Sequence, residues 1–203
     1  MLYPKVRTGA AGAVAMKYTT PDQGNTVGFI GCGAIARNMA RAAASVRDFQ
    51  GVVYALDGAE DFAKEMSAEL GISFSVAGSA EELCEKSNVI YTQTPGSNTV
   101  LELDWLQKGT TIIASGSDQP TKQELPSEVL KASKYIPDLV KQTSKVGELR
   151  GAIEDGLMSE DDVYCEVGAC RKLLSFLRSR PTFNLISFEV GRSREWKSRS
   201  RRR

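Results

Sequence analysis

Histidine is absent from all 203 residues of this chain. That absence removes His-ligated metal, the Ser-His-Asp triad and the imidazole base of many hydroxy-acid dehydrogenases. Any proton transfer must fall to Asp, Glu, Lys, Tyr or Cys. Cysteine is scarce too: Cys32, Cys84, Cys165 and Cys170 form no C-x-x-C pair and no framework spacing. Reduced thiols are therefore expected, and no metal site. The longest apolar runs fall far short of the ~18 residues that span a membrane. Met1 to Lys5 lack the n-region and apolar h-region of a secretory signal, so a cytoplasmic protein with no membrane partner is the expectation. No internal repeat is evident.

What the chain does have is an ordinary globular composition, 41% hydrophobic and 25% charged, with net charge +1. The charge is unevenly spread. Residues 192–203, RSREWKSRSRRR, hold seven of the 26 Lys and Arg but one of the 25 Asp and Glu, so a mildly acidic body carries a basic tail. Clustered Arg can neutralise nucleic-acid phosphates. With one aromatic, Trp196, and no accompanying fold, the tail reads better as a solvated end, and nucleic acid is not the expected partner.

The stretch Thr26 to Met39, TVGFIGCGAIARNM, organises the rest. An apolar run, Val27 to Ile30, enters Gly31-Cys32-Gly33-Ala34-Ile35-Ala36 and leaves into a helix-compatible segment, Arg37 to Val46. Strand, glycine turn and helix start fit the G-x-G-x-x-G/A pattern. Gly31 would make the tight turn, Gly33 would leave a pyrophosphate unobstructed, and the small Ala36 would let helix and strand pack closely. The helix start at Ala34 and Ile35 offers unpaired N–H groups and partial positive charge to a phosphate. A tight turn that holds no ligand would show the same glycines. A second feature favours the dinucleotide site: the next apolar run, Val52 to Leu56, ends at Asp57, 24 residues beyond Gly33. An acid there can accept from an adenosine ribose. It argues for NAD over NADP, because a 2′-phosphate would meet a carboxylate, and Gly58-Ala59 offers no Arg.

From there strands and helices alternate. The pattern predicts an alanine-rich helix in the first 20 residues and a helix over Ala59 to Leu70. It places strands at Ile72–Val76, Val89–Thr92 and Thr111–Ala114, and a helix capped by Ser79. A helical stretch to Ala132, an apolar run at Tyr135-Ile136 and one amphipathic segment from Leu139 to Gly156 follow. Beyond Cys170 the pattern decays; Ile186–Val190 reads as a possible strand and the last ten or so residues as disordered. The expected fold class is α/β, a Rossmann-like doubly wound parallel sheet with flanking helices. Three strand tips converge on one edge: Gly31–Ala36, Thr92–Ser97 and Ser115–Lys122. Asp118 is the strongest candidate for proton handling, since an acid on a post-strand loop would be partly desolvated. Capping a helix that begins near Pro120 is the competing role. Lys122 could hold a phosphate or ribose, or be an exposed helical Lys.

The runs RTGAAGAVAMKY, VGFIGCGAIAR, ASGSDQPTKQEL and DLVKQTSKVGEL, with the acid at the second strand end, resemble the ornithine cyclodeaminase and mu-crystallin family. The similarity covers Val6 to Gly168, and Gly116–Leu125 is its most specific piece. The resemblance implies an NAD(P)-dependent enzyme acting on amino acids or cyclic imines, as ornithine cyclodeaminases (ornithine to proline plus ammonia), alanine dehydrogenases and ketimine reductases do. It implies that Asp118 gives and takes protons and that Ser117 and Lys122, within the block headed by Gly116, lie near the nicotinamide. Thr94 would rest against it, Asp57 would bind the ribose, and Arg7 would reach substrate carboxylate and cofactor. It implies a homodimer.

Family members carry further residues before the Arg-Thr run, forming a substrate and dimerisation domain. The expected organisation is accordingly a helix over 1–25 as the remnant of that domain, a Rossmann NAD-binding domain over 26–168, and a divergent segment with a basic tail over 169–203. A mu-crystallin-like nucleotide binder without turnover is the alternative function.

Overall fold

The computed structural model describes residues 3–169 and 183–187. Seven parallel strands form one sheet in the order β3-β2-β1-β4-β5-β7-β6. The strands are β1 (Asn25–Ile30), β2 (Phe49–Tyr54), β3 (Phe74–Val76), β4 (Val89–Thr92), β5 (Thr111–Ala114), β6 (Ser133–Pro137) and β7 (Phe183–Ser187). The helices are α1 (Tyr3–Thr19), α2 (Ala34–Ala44), α3 (Ala59–Leu70), α4 (Ala80–Lys86), α5 (Ser127–Ala132), α6 (Val140–Thr143) and α7 (Glu148–Glu154). The doubly wound α/β class expected from the sequence is therefore present, with the order reversing between β1 and β4. Among the described residues no helix is long and apolar enough to cross a membrane.

Alternation along each strand feeds two cores. Val27 and Phe29 of β1, Val89 and Tyr91 of β4 and Ile113 of β5 pack under α1, α2 and α3. Ile30, Ile90 and Ile112 face the other way, onto Leu83 of α4, Val129 and Leu130 of α5, and Leu149 of α7. Both sheet faces are covered, as an all-parallel sheet requires. Phe29 is the hub of the first core, stacked on Tyr91 at 5.3 Å between ring centroids and tilted against Phe62 at 5.8 Å.

Three elements depart from the sequence expectation. The helix expected near Pro120 is not formed; residues 120–126 are turn and loop, and α5 begins at Ser127. The segment Leu139–Gly156 is two helices, broken before Gly147, whose φ of 138° a side chain rarely adopts. The expected strand near Ile186 starts earlier, at Phe183, and lies between β5 and β6. Its register sets Ile186 opposite both Ile113 and Ile136, and Ile186 is buried at their centre. Cys165 is disulfide-bonded, so the expectation of free thiols holds for Cys32 and Cys84. The basic tail, Trp196 and Cys170 lie outside the described residues.

Helix α1 is seated on the sheet by glycine contacts. A Cβ on Gly9 would come within 2.7 Å of the Asn38 carbonyl oxygen of α2, and one on Gly12 within 2.8 Å of the Tyr91 ring. Tyr91 Oη donates to the Gly12 carbonyl at 3.0 Å. The last turn of α1 meets the start of β5, where Thr111 Oγ1 donates to the Thr19 carbonyl at 3.4 Å. The helix therefore runs with its N-terminal end toward the sheet's C-terminal edge.

Gly9→Ala separates two effects of opposite sign. Helix propensity alone would stabilise by about 1 kcal/mol, but driving a Cβ into α2 backbone costs about 1–3 kcal/mol. The clash should win, and the urea midpoint should fall.

Candidate functional site

The glycine turn is built by an approach too close for any side chain. Gly31 has φ of 98°, and a Cβ on it would lie 2.7 Å from the Gln93 carbonyl oxygen of the β4 tip. Gln93 Nε2 closes the contact from its side, donating to the carbonyls of Ile30 and Gly31 at 2.9 Å each. Gly31 N–H donates to the Tyr54 carbonyl at 2.8 Å, locking the turn to β2 as well. Gly31 is thus required by the protein itself.

Gly33 is different. Its φ of −74° suits any residue, and nothing lies within 4 Å of where its Cβ would be. It is the N-cap of α2, an 11-residue helix with no side-chain cap and no acid in its first turn. Gly33 and Ala34 are exposed and Ile35 is half-buried. An uncapped helix start carries unpaired N–H groups and partial positive charge, which favours a phosphate. The open space over Gly33 is what a diphosphate needs to reach them. Arg37 braces the turn from outside, donating to the Cys32 carbonyl and pairing with Glu65 at 2.7 Å.

Strand order divides the edge into two sides. Asp57 stands exposed beyond the end of β2, and Cys32 Sγ donates to its carbonyl at 3.0 Å, so the acid's backbone is held against the glycine turn. The tips of β4 and β5 lie on the other side of β1. An extended dinucleotide laid across the turn would place its adenosine toward Asp57 and its other end over β4 and β5.

The second side gathers Thr94, Gly116, Ser117, Asp118 and Lys122. Thr94 Cγ2 lies 3.4 Å from the position of a Cβ on Gly31, so this loop touches the turn. Lys122 is 6% exposed, in a loop and not on a helix, with Nζ donating to the Thr94 carbonyl at 2.5 Å. Its Nζ is 3.8 Å from Asp118 Oδ1. The Asp118 side chain is 57% exposed, so these residues do not supply the desolvation expected of it. Nor does it cap a helix, since none starts there. Ser117 is buried and its hydroxyl donates to Glu148 Oε1. Arg7 is exposed on α1, five residues nearer the C-terminal edge than Gly12, or about 7.5 Å along the helix. The structure therefore brings the turn, Thr94 and the Gly116–Lys122 loop into one unit and leaves Asp57 and Arg7 at its two flanks. Among the described residues no group of three or more His, Cys, Asp or Glu could hold a metal ion.

The model of the ornithine cyclodeaminase/mu-crystallin family matches residues 2–172. The chain belongs to this family. It is 37% identical over 166 residues to the alanine dehydrogenase of Archaeoglobus fulgidus, a match covering 80% of the chain and 51% of that protein. Among solved structures it resembles the Δ1-pyrroline-2-carboxylate reductase of Thermococcus litoralis in complex with NADH and L-proline. The TM-score there is 0.83 at 28% identity, covering 90% of this chain and 58% of that one. The iminosuccinate reductase of Paracoccus denitrificans in complex with NAD+ gives 0.82 at 29% identity, covering 94% and 59%. The chain spans about half the length of the curated relatives it matches.

Two residues of the site were not singled out from the sequence. Glu124 and Glu148 are both fully buried behind the β4 and β5 tips. Glu148 went unnoticed because Leu139–Gly156 read as one amphipathic segment. The break before Gly147 turns Glu148 inward as the first residue of α7. Burial pushes its carboxyl up to about 7; the Ser117 hydroxyl pulls down, and the neighbouring Glu124 charge adds to the rise.

Between the unfolded value of 4.5 and about 7 the folded state binds more protons at Glu148 than the unfolded chain does. The stability it contributes is fully present below pH 4.5 and lost as pH rises through about 7. Denaturant titrations across that window should show the parent losing stability with rising pH relative to Glu148→Gln.

Proposed function

We propose that this chain binds NAD across its glycine turn and forms the coenzyme-binding part of an NAD-dependent enzyme acting on a small amino acid or cyclic imine. The observation that carries the reading is the contrast between Gly31, which the fold needs, and Gly33, over which the fold leaves space. Open space of this kind, at a helix start with no side-chain cap, suits a diphosphate. Structural relatives in complex with NADH and with NAD+ support the same coenzyme, and Asp57 favours it over the 2′-phosphorylated form.

Bound NAD would accept or return a hydride at the nicotinamide, which would lie over the β4 and β5 tips. The chain's own residues would do the rest. Lys122, tied to the Thr94 carbonyl, holds its ammonium 3.8 Å from Asp118 Oδ1. Asp118 would take a proton from the substrate's nitrogen or from attacking water and return it in the reverse direction. Once substrate and coenzyme cover the exposed carboxylate, the dielectric around it falls and its interaction with Lys122 strengthens. Arg7 would meet the substrate carboxylate, a group that alanine, ornithine and pyrroline-2-carboxylate share. Ornithine cyclodeamination and reduction of a cyclic imine are the two finer activities in view.

Two variants test this. Gly33→Val should weaken calorimetric NAD binding by at least about tenfold, while the poorer N-cap lowers stability by no more than about 1 kcal/mol and the protein still folds. A variant that binds NAD like the parent would overturn the reading. Asp118→Asn should lower NADH formation from L-ornithine or L-alanine, or NADH consumption with Δ1-pyrroline-2-carboxylate, by about 10²- to 10⁴-fold at unchanged NAD affinity.

A further inference from the structure

Burying a carboxylate is costly unless its oxygens are matched by donors, so the donors indicate what Glu124 holds. Glu124 follows the Ser115–Lys122 loop in sequence and is 0% exposed. Its Oε1 accepts from Thr94 N–H at 2.5 Å and from Thr94 Oγ1 at 2.7 Å. The same stretch returns Lys122 Nζ to the Thr94 carbonyl at 2.5 Å. Thr94 is thus gripped at its amide, hydroxyl and carbonyl by two residues of the loop after β5. The backbone of Glu124 is fixed in turn. Glu148 Oε1 accepts from Glu124 N–H and Oε2 from Leu125 N–H, each at 3.1 Å, while Ser117 Oγ donates to Glu148 Oε1.

The remaining oxygen, Glu124 Oε2, is buried without a hydrogen-bond partner among the described residues. It lies on the backbone of Gly116, where a Cβ would come within 2.1 Å of it. Gly116 accordingly leaves room for the carboxylate, and the carboxylate spans from the β5 tip to the β4 tip. A residue kept only to fill volume would not need a charge there, since an apolar side chain of similar size carries no orphaned oxygen.

The geometry points to Glu124 as a positioning residue, which clamps the β4 tip to the loop after β5 so that Thr94, Lys122 and Asp118 hold one arrangement. It touches neither coenzyme nor substrate. Its effect falls on the side of the site remote from Asp57, where the nicotinamide would lie. This rests on the coenzyme reading above, and it assigns the ordering of that half of the site to a buried side chain near the end of the Gly116–Leu125 block.

Paired titrations with NADH and with ADP-ribose, which lacks only the nicotinamide, separate positioning from general loosening. Glu124→Ala should weaken NADH by about tenfold while ADP-ribose stays within about twofold of the parent. Glu124→Gln keeps the Oε1 acceptor but loses the charge that roughly doubles hydrogen-bond strength, so it should fall between the two. Gly116→Ala, which displaces the carboxylate without removing it, should reproduce the Glu124→Ala pattern. If the Ala variant does not fold, Glu124→Gln carries the test. The inference is overturned if the variants bind NADH as the parent does, or if both ligands weaken by the same factor. A parent that binds neither ligand sinks the coenzyme reading itself; a parent that binds both, with variants unmoved, sinks only the clamp.

Discussion

The close approach of the β1 turn to the β4 tip is the constraint on which the rest of this edge depends. Gly31 and the Gln93 carbonyl leave no room for a side chain between them, and the Gln93 amide closes on the two carbonyls ahead of the turn. Because β1 and β4 are the strands at which the order reverses, this contact lies at the crevice where open parallel sheets take ligands. A looser turn would let the start of α2 drift from the strand tips, and the N–H groups there would no longer share one site with Thr94 and Lys122.

From that contact the electrostatics sort themselves by side. The start of α2 is left positive and uncapped, with Asp57 beyond it on one flank. On the other flank an ammonium and three carboxylates are graded by exposure. Asp118 is open to solvent, Lys122 is nearly closed off, and Glu124 and Glu148 are fully buried. Buried groups hold the backbone, and the exposed one is free to meet a substrate. Titration of Glu148 and the proton transfer proposed for Asp118 therefore belong to different layers, joined through Ser117 and the loop between them.

Much of this was legible in the chain itself. The glycine pattern, the second-strand acid and the alternation of short apolar runs gave the fold class and the edge that gathers the candidate residues, because local periodicity and turn chemistry decide those features. The family resemblance carried Asp118, Lys122 and Thr94. Long-range contacts were not legible. No local signal shows that Glu124 would reach 30 residues back to Thr94, or that β7 would enter between β5 and β6. The helix expected near Pro120 failed for a related reason. Residues 120–126 place Lys122 and Glu124 against Thr94, and tertiary hydrogen bonds there override a modest helix preference.

The central claim is that the open space over Gly33, at the start of α2, receives the coenzyme's diphosphate. Backbone amide NMR during titration with NAD tests it most directly. The account predicts that the resonances of Gly33, Ala34 and Ile35 shift and saturate together while those of distant strand residues such as Thr111 stay in place. Saturation with NAD that leaves these three amides unmoved would contradict it.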